Sequence, residues 1–150
     1  MGHTYTILLY HGVFSTKERR ELLRPDLMPE LVKVVGGIIR DRDGALLAMN
    51  GMRDHVHLLA RFHPKYALSD MFRDIKAISC DWVHDRFVHL RDFAWQEGYS
   101  AFTVSKSNQA RVEAYIAGQA EHHRRRTFEE ELKMLLERHG IEYDPRYMLD

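Results

Sequence analysis

Two histidines separated by one residue, His55-Val56-His57, are the first side chains that can do chemistry. On a β-strand alternate residues point to the same face. Both imidazoles then project together, with Val56 buried behind them. Neutral imidazole is a common ligand for divalent metals, and two at this spacing can share one ion if a third ligand joins. The chain has 10 histidines, so a pair of surface histidines on a half-exposed strand fits the same pattern.

Tyr115 and Gln119 form a second candidate group. Four residues apart, they share one face of a helix. A tyrosine phenolate is a covalent nucleophile, but with an ordinary pKa of about 10 it needs activation or a good electrophile. A metal bound to a phosphate supplies the electrophile, and Gln119 offers an oxygen ligand one turn away. A core tyrosine packed with Val112 and Ile116 fits the spacing equally well.

Other residues carry less. Cys80, near Trp82, reads as core. Adjacent helical residues point about 100° apart, so His122 and His123 read as part of a basic surface with Arg124, Arg125 and Arg126. His11 lies near the end of the first strand, on a sheet face, with no assigned role. The sequence has no Gly-rich phosphate loop, Cys-x-x-Cys or Gly-x-Ser-x-Gly.

These residues need elements to position them. Residues 5–14 are aromatic and branched and predict a strand. Apolar residues recur at helical spacing from Met28 through Leu31, Val32, Val35, Ile38 and Ile39 over residues 26–41. Gly36 and Gly37 weaken that helix by roughly 1 kcal/mol each. Residues 45–49 predict a buried strand, 50–54 a turn, and 55–62 a further strand ending before Pro64. Ser69 is positioned to cap the next helix, whose apolar face is Met71, Phe72, Ile75, Ile78 and Trp82. A fourth strand fits residues 94–104. Two helices follow, over residues 108–123 and from Thr127, which has capping-box spacing to Glu130, to Gly140.

The order strand, helix, strand, strand, helix, strand predicts an α+β, ferredoxin-like antiparallel sheet. Helices cover one face and the other is left free for a ligand. Two C-terminal helices are added, the first carrying Tyr115. Residues 1–126 are expected to form one domain, with residues 127–150 packed on it.

The 150 residues suit one core. With 45% apolar and 29% charged residues the composition is that of a globular protein. No apolar run is long enough to cross a bilayer. The first residues lack the layout of a secretory signal, and Cys80 has no second cysteine to pair with, so a cytosolic protein is expected. The net charge is zero, which argues mildly against a nucleic-acid partner. Basic residues cluster at Lys17, Arg19, Arg20 and Arg24 and at residues 122–126. Acidic residues collect at Glu129, Glu130, Glu131 and Glu137. Each cluster fits a solvated face.

Taken in order, the segments resemble the HUH single-tyrosine transposases of the smallest bacterial insertion sequences. Residues 54–59, Asp-His-Val-His-Leu-Leu, match the His-hydrophobic-His motif that names that family. Residues 10–17 resemble its opening strand and loop, Leu68-Ser69 with Ile75-Lys76 the helix after the motif, and residues 95–102 the fourth strand. Gln109 through Tyr115, Gln119 and Glu121-His122-His123 resemble the catalytic helix, and residues 128–147 a tail found in one branch. Two features depart from the family pattern: Gly36-Gly37 within a helix, and Met52-Arg53 where a proline is expected before Asp54.

The resemblance implies a DNA transposase. Tyr115 would attack a phosphodiester of single-stranded DNA, leaving a 5′-phosphotyrosine link and a free 3′-hydroxyl. Mg²⁺ or Mn²⁺ would be held by His55, His57 and Gln119. The partners implied are hairpin ends of a mobile element and a second copy in a homodimer, with no nucleotide cofactor. By position, Lys17, Arg19, Arg20, Lys76, Lys106 and Arg111 are candidate DNA contacts. A domesticated relative that processes chromosomal hairpins would keep the same residues, and a non-catalytic nucleic-acid-binding module would not need them together.

Overall fold

A computed structural model describes residues 2–150. Four strands, β1 (Leu9–Ser15), β2 (Ala45–Gly51), β3 (His55–Arg61) and β4 (Ser100–Val104), form one antiparallel sheet in the order β2-β3-β1-β4. Helices α1 (Met28–Asp41) and α2 (Leu68–Arg86) follow β1 and β3. This is the ferredoxin-like α+β arrangement that the order of elements predicts.

Alternation along the strands divides the core. Phe14, Val56, Leu58 and Ala60 face α1 and α2, where they pack with Leu31, Val35, Ile39, Phe72 and Ile75. Gly36 and Gly37 do not interrupt α1, because Ile38 and Ile39 continue its buried stripe. Gly12 is required by a close approach, since a Cβ there would lie 2.5 Å from the Phe72 ring. The opposite faces of β1 and β3 carry His11, Val13, Ser15, His55, His57 and Leu59, with Val13 paired to His57 and Ser15 to His55.

That second face is not free, contrary to expectation. It is covered by α3 (Gln109–Ala117) and α5 (Phe128–Arg138), with the short α4 (Gln119–His122) between them. Ile116, Val112 and Tyr115 of α3 pack on Leu9, Leu59 and Leu47. Phe128, Leu132, Leu135 and Leu136 of α5 pack on Val13 and Phe102. The apolar stripes of both helices need burial, and this sheet face supplies it.

Other boundaries shift for identifiable reasons. β1 begins at Leu9 rather than Tyr5, because Leu9 already pairs with the ends of β3 and β4. β4 begins at Ser100. Trp95 makes only an isolated bridge to Thr16, and the Gln96 side chain instead accepts the Ser15 N–H at 2.7 Å. Ser69 lies inside the first turn of α2, which is capped at Ala67 without a side-chain bond. The single helix expected over residues 108–123 breaks at Gly118, whose N–H is shared between the Ala114 and Tyr115 carbonyls.

Candidate metal centre and nucleophile

Strand β3 presents His55 and His57 on one face, both fully buried. Each has its Nδ1 tied off. Asp54 Oδ1 lies 2.7 Å from His55 Nδ1, and His11 Nε2 lies 2.9 Å from His57 Nδ1. Both Nε2 atoms therefore turn toward the same point. Such outer partners fix the ring and its tautomer in metal-binding histidines. For His57 to offer a lone pair at Nε2, its Nδ1–H must donate to His11.

Glu131 of α5 stands where the two histidines converge. Its Oε1 lies 2.9 Å from His57 Nε2, 3.1 Å from His123 Nε2 and 3.5 Å from His55 Nε2. Its Oε2 accepts hydrogen bonds from the Tyr115 hydroxyl and from Gln119 Nε2, the latter at 3.3 Å. The Gln119 amide oxygen faces inward, 3.3 Å from His55 Nε2 and 3.2 Å from His123 Nε2. The start of α5 is held by a capping box between Thr127 and Glu130, which places the Phe128 ring flat on His55 at 4.1 Å.

The electrostatics follow from burial and proximity. Burial opposes the charge on Glu131, but hydrogen bonds from His123, His55 and His57 outweigh it and hold its carboxyl far below the usual range. Burial likewise opposes a charged His55, yet Asp54 and Glu131 together raise its pKa. His57 is lowered, by burial first. His11 is pushed down to about 3, by burial and then by His57. Burial and the bond to Glu131 raise Tyr115, so its phenol keeps its proton.

His55, His57, His123 and Glu131 each offer one ligand atom, all within 4.8 Å of one another. Three imidazoles and a carboxylate, with an amide oxygen beside them, form a nitrogen- and oxygen-rich set that fits a divalent cation. The residues singled out in the sequence, His55, His57, Gln119 and Tyr115, all come to this cluster, and Tyr115 does so within its own chain.

Three further members escaped the sequence reading. His123, read as surface, is nearly buried and points at Glu131. Glu131, read as part of a solvated acidic run, is 1% exposed. His11 had no role. Signals for two of them existed. Glu131 falls on the stripe of Phe128, Leu132 and Leu135, and His123 lies four residues after Gln119.

Of the candidate DNA contacts, Arg111 lines a cleft that reaches Tyr115. Lys106 donates to Gln109 on the link before α3. Lys17 and Arg19 sit on the turn after β1, beside the C-terminal residues, where Arg19 pairs with Glu129. Arg20 pairs with Asp92. Lys76 lies on α2, across the sheet from the histidines, and donates to the carbonyls of Glu97 and Gly98.

Buried histidines gathered on a ferredoxin-like sheet, with a tyrosine helix laid over them, match a recognised class of DNA-transposing enzymes. The model of the family described as "Transposase IS200 like" matches residues 4–119, and the chain belongs to that family of transposases. It is 27% identical over 123 residues to the ISDra2 transposase TnpA of Deinococcus radiodurans, covering 79% of this chain and 87% of that protein. It is 30% identical over 131 residues to the transposase of insertion sequence element IS200 from Salmonella typhimurium, covering 81% and 82%. A candidate transposase of known crystal structure from D. radiodurans R1 superposes with a TM-score of 0.64 at 28% identity, covering 79% of this chain and 96% of that one. A REP-associated tyrosine transposase bound to a REP hairpin shares the fold, with a TM-score of 0.60 at 17% identity over 82% of this chain and 73% of that one. Glu131 and the rest of α5 lie beyond residues 4–119, which the family model matches.

Among the described residues, no helix is long and apolar enough to cross a membrane.

Proposed function

We propose that the chain cuts and rejoins single-stranded DNA through a covalent link to Tyr115. The observation that carries this reading is the position of the Tyr115 hydroxyl. It is bonded to one oxygen of Glu131, while the other oxygen of the same carboxylate faces three histidine nitrogens. The nucleophile is thus one carboxylate away from the metal-ligand set.

Tyr115 Oη attacks the phosphorus of a phosphodiester, and the bond from phosphorus to the 3′-oxygen breaks. The 3′-oxygen leaves with the bonding pair and takes up a proton. A phenol with a raised pKa must lose its proton as it attacks. Its hydrogen bond to Glu131 Oε2 orients the hydroxyl, and the proton passes on to solvent, since that carboxyl is too weak a base to keep it. A 3′-hydroxyl then attacks the phosphotyrosine, restoring a phosphodiester and freeing Tyr115. No nucleotide cofactor is consumed, because the covalent link retains the energy of the broken bond.

His55 and His57, with Gln119, His123 and Glu131 around them, would hold the cation, expected to be Mg²⁺ or Mn²⁺; the nitrogen-rich set favours Mn²⁺ of the two. When bound, such an ion polarises a phosphate oxygen and balances the charge that develops on it. Hairpin ends of a mobile element are the DNA expected from the family, and a homodimer is the expected assembly, which light scattering would test.

The direct test is a denaturing gel of the protein mixed with labelled single strands from the ends of its own locus, with and without Mn²⁺. A metal-dependent, protease-sensitive adduct, absent with Tyr115→Phe, is expected. Cleavage without an adduct that persists in Tyr115→Phe would replace this reading with a water-using nuclease.

A further inference from the structure

A strand cut at Tyr115 must leave the reacting phosphate in two directions, and each direction needs a surface. Two clefts meet at Tyr115. The first lies between α4 and α5 and is lined by His122, Arg125 and Arg138. The second lies between β4, α3 and the end of α5 and is lined by Phe102, Arg111, Arg138 and His139. Arg138, at the end of α5, lines both.

The two clefts share a chemistry. In the first, the His122 ring stacks on Tyr115 with centroids 4.5 Å apart. In the second, the exposed His139 stacks on Phe102 at 4.3 Å. Each cleft therefore ends in a layered pair of flat rings. Arg111, Arg125 and Arg138 are exposed and have no carboxylate partner among the described residues, whereas neighbouring Arg124 is paired with Glu121. Cationic side chains beside aromatic platforms suit a nucleic-acid strand whose bases are free to stack. A duplex hides its base faces and can offer these clefts only phosphates.

We propose that single-stranded DNA runs through both clefts across Tyr115, with Arg138 contacting the backbone at the crossing. Arg125 and Arg111 grip the strand on either side, and His122 and His139 receive bases. The track rests on Tyr115 being the nucleophile, since that residue sets the place where the strand must cross. It is built largely from α4, α5 and the residues between them, so these late segments bind substrate as well as closing the site.

The test is fluorescence anisotropy with labelled oligothymidine, in Mg²⁺ and over a range of salt. Wild type, Arg138→Gln, Arg125→Gln and His139→Ala would be compared with Lys33→Gln, an exposed lysine on α1 across the sheet. Thermal melts would check that each variant folds. Arg138→Gln and Arg125→Gln are expected to weaken binding about tenfold and to flatten the log–log salt slope by about 0.7 for each phosphate no longer neutralised. His139→Ala is expected to weaken binding with little change in slope, and Lys33→Gln to change neither. A duplex of equal length is expected to bind more weakly than the single strand. Wild-type affinity and slope in both arginine variants, or equal affinity for duplex, would overturn the track. The adduct gel separates the two readings. Normal adduct formation by wild type alongside unaffected arginine variants would sink the track alone. Arginine-dependent strand binding with no adduct on any locus-derived strand would sink the nucleophile, and with it the crossing at Tyr115, and leave the two clefts as a strand-binding surface only.

Discussion

The Tyr115 hydroxyl donates to the carboxylate of Glu131, sixteen residues further along the chain and on a different helix. The same carboxylate meets His55, His57 and His123. One side chain of α5 thus couples the nucleophile to the metal-ligand set. The coupling also means that the nucleophile and the histidines share a charge. If Glu131 is removed, three histidines are left facing one another in a buried site.

Glu131→Ala is therefore expected to destabilise the metal-free protein by about 3 kcal/mol, the usual cost of removing one member of a buried charged group. Glu131→Gln keeps the shape and should be milder in stability. Its divalent-metal affinity should fall on the order of 10- to 100-fold. Calorimetric titration of Mn²⁺ and a thermal melt read the two effects. Unchanged Mn²⁺ affinity in Glu131→Gln would remove Glu131 from the metal site.

Tyr115→Phe takes away one hydroxyl and leaves its ring on His122. Covalent adducts are expected to disappear while Mn²⁺ affinity stays within about twofold, a difference of only a few tenths of a kcal/mol. Loss of metal binding together with the adduct would make Tyr115 a structural support of the cluster.

Acid should weaken the metal-free fold through His11 and His57. The ordinary histidine value is 6.5, and folding lowers His11 to about 3. His57 shifts in the same direction. The unfolded chain then binds protons that the folded chain refuses, so this stability is present above 6.5 and is lost as pH falls toward 3. His55 shifts the opposite way, and its contribution is lost as pH rises. Melts of chelator-treated protein from neutral to mildly acid pH should show a falling midpoint, with a shallower fall in His11→Gln. An identical slope in that variant would show that His11 does not carry the effect.

Thr127→Ala removes the side-chain cap of α5 and should cost about 1 kcal/mol. Because that cap sets Phe128 on His55 and aims Glu131 inward, Mn²⁺ binding should weaken as well. A melt that drops with no change in Mn²⁺ affinity would mean that α5 finds its position without the cap.

Alternation of residues along a strand is a local property. It let His55-Val56-His57 be read as two imidazoles over one buried valine, and the order of elements implied the sheet. The Thr127–Glu130 cap was equally local, since both partners lie within one helical turn. The spacing of Tyr115 and Gln119 placed them on one side, even though Gly118 breaks the helix between them. Tertiary structure alone decided what covers the histidines. Glu131 sits in a run of glutamates that local reading assigns to solvent, and His123 belongs to the basic stretch of residues 122–126. Their burial depends on α5 crossing the sheet face to hide its leucines. That packing also brings His11 of β1 against His57 of β3, two residues 46 apart in the chain. A metal site needs ligands from several directions, and a chain meets itself from several directions only after it has folded.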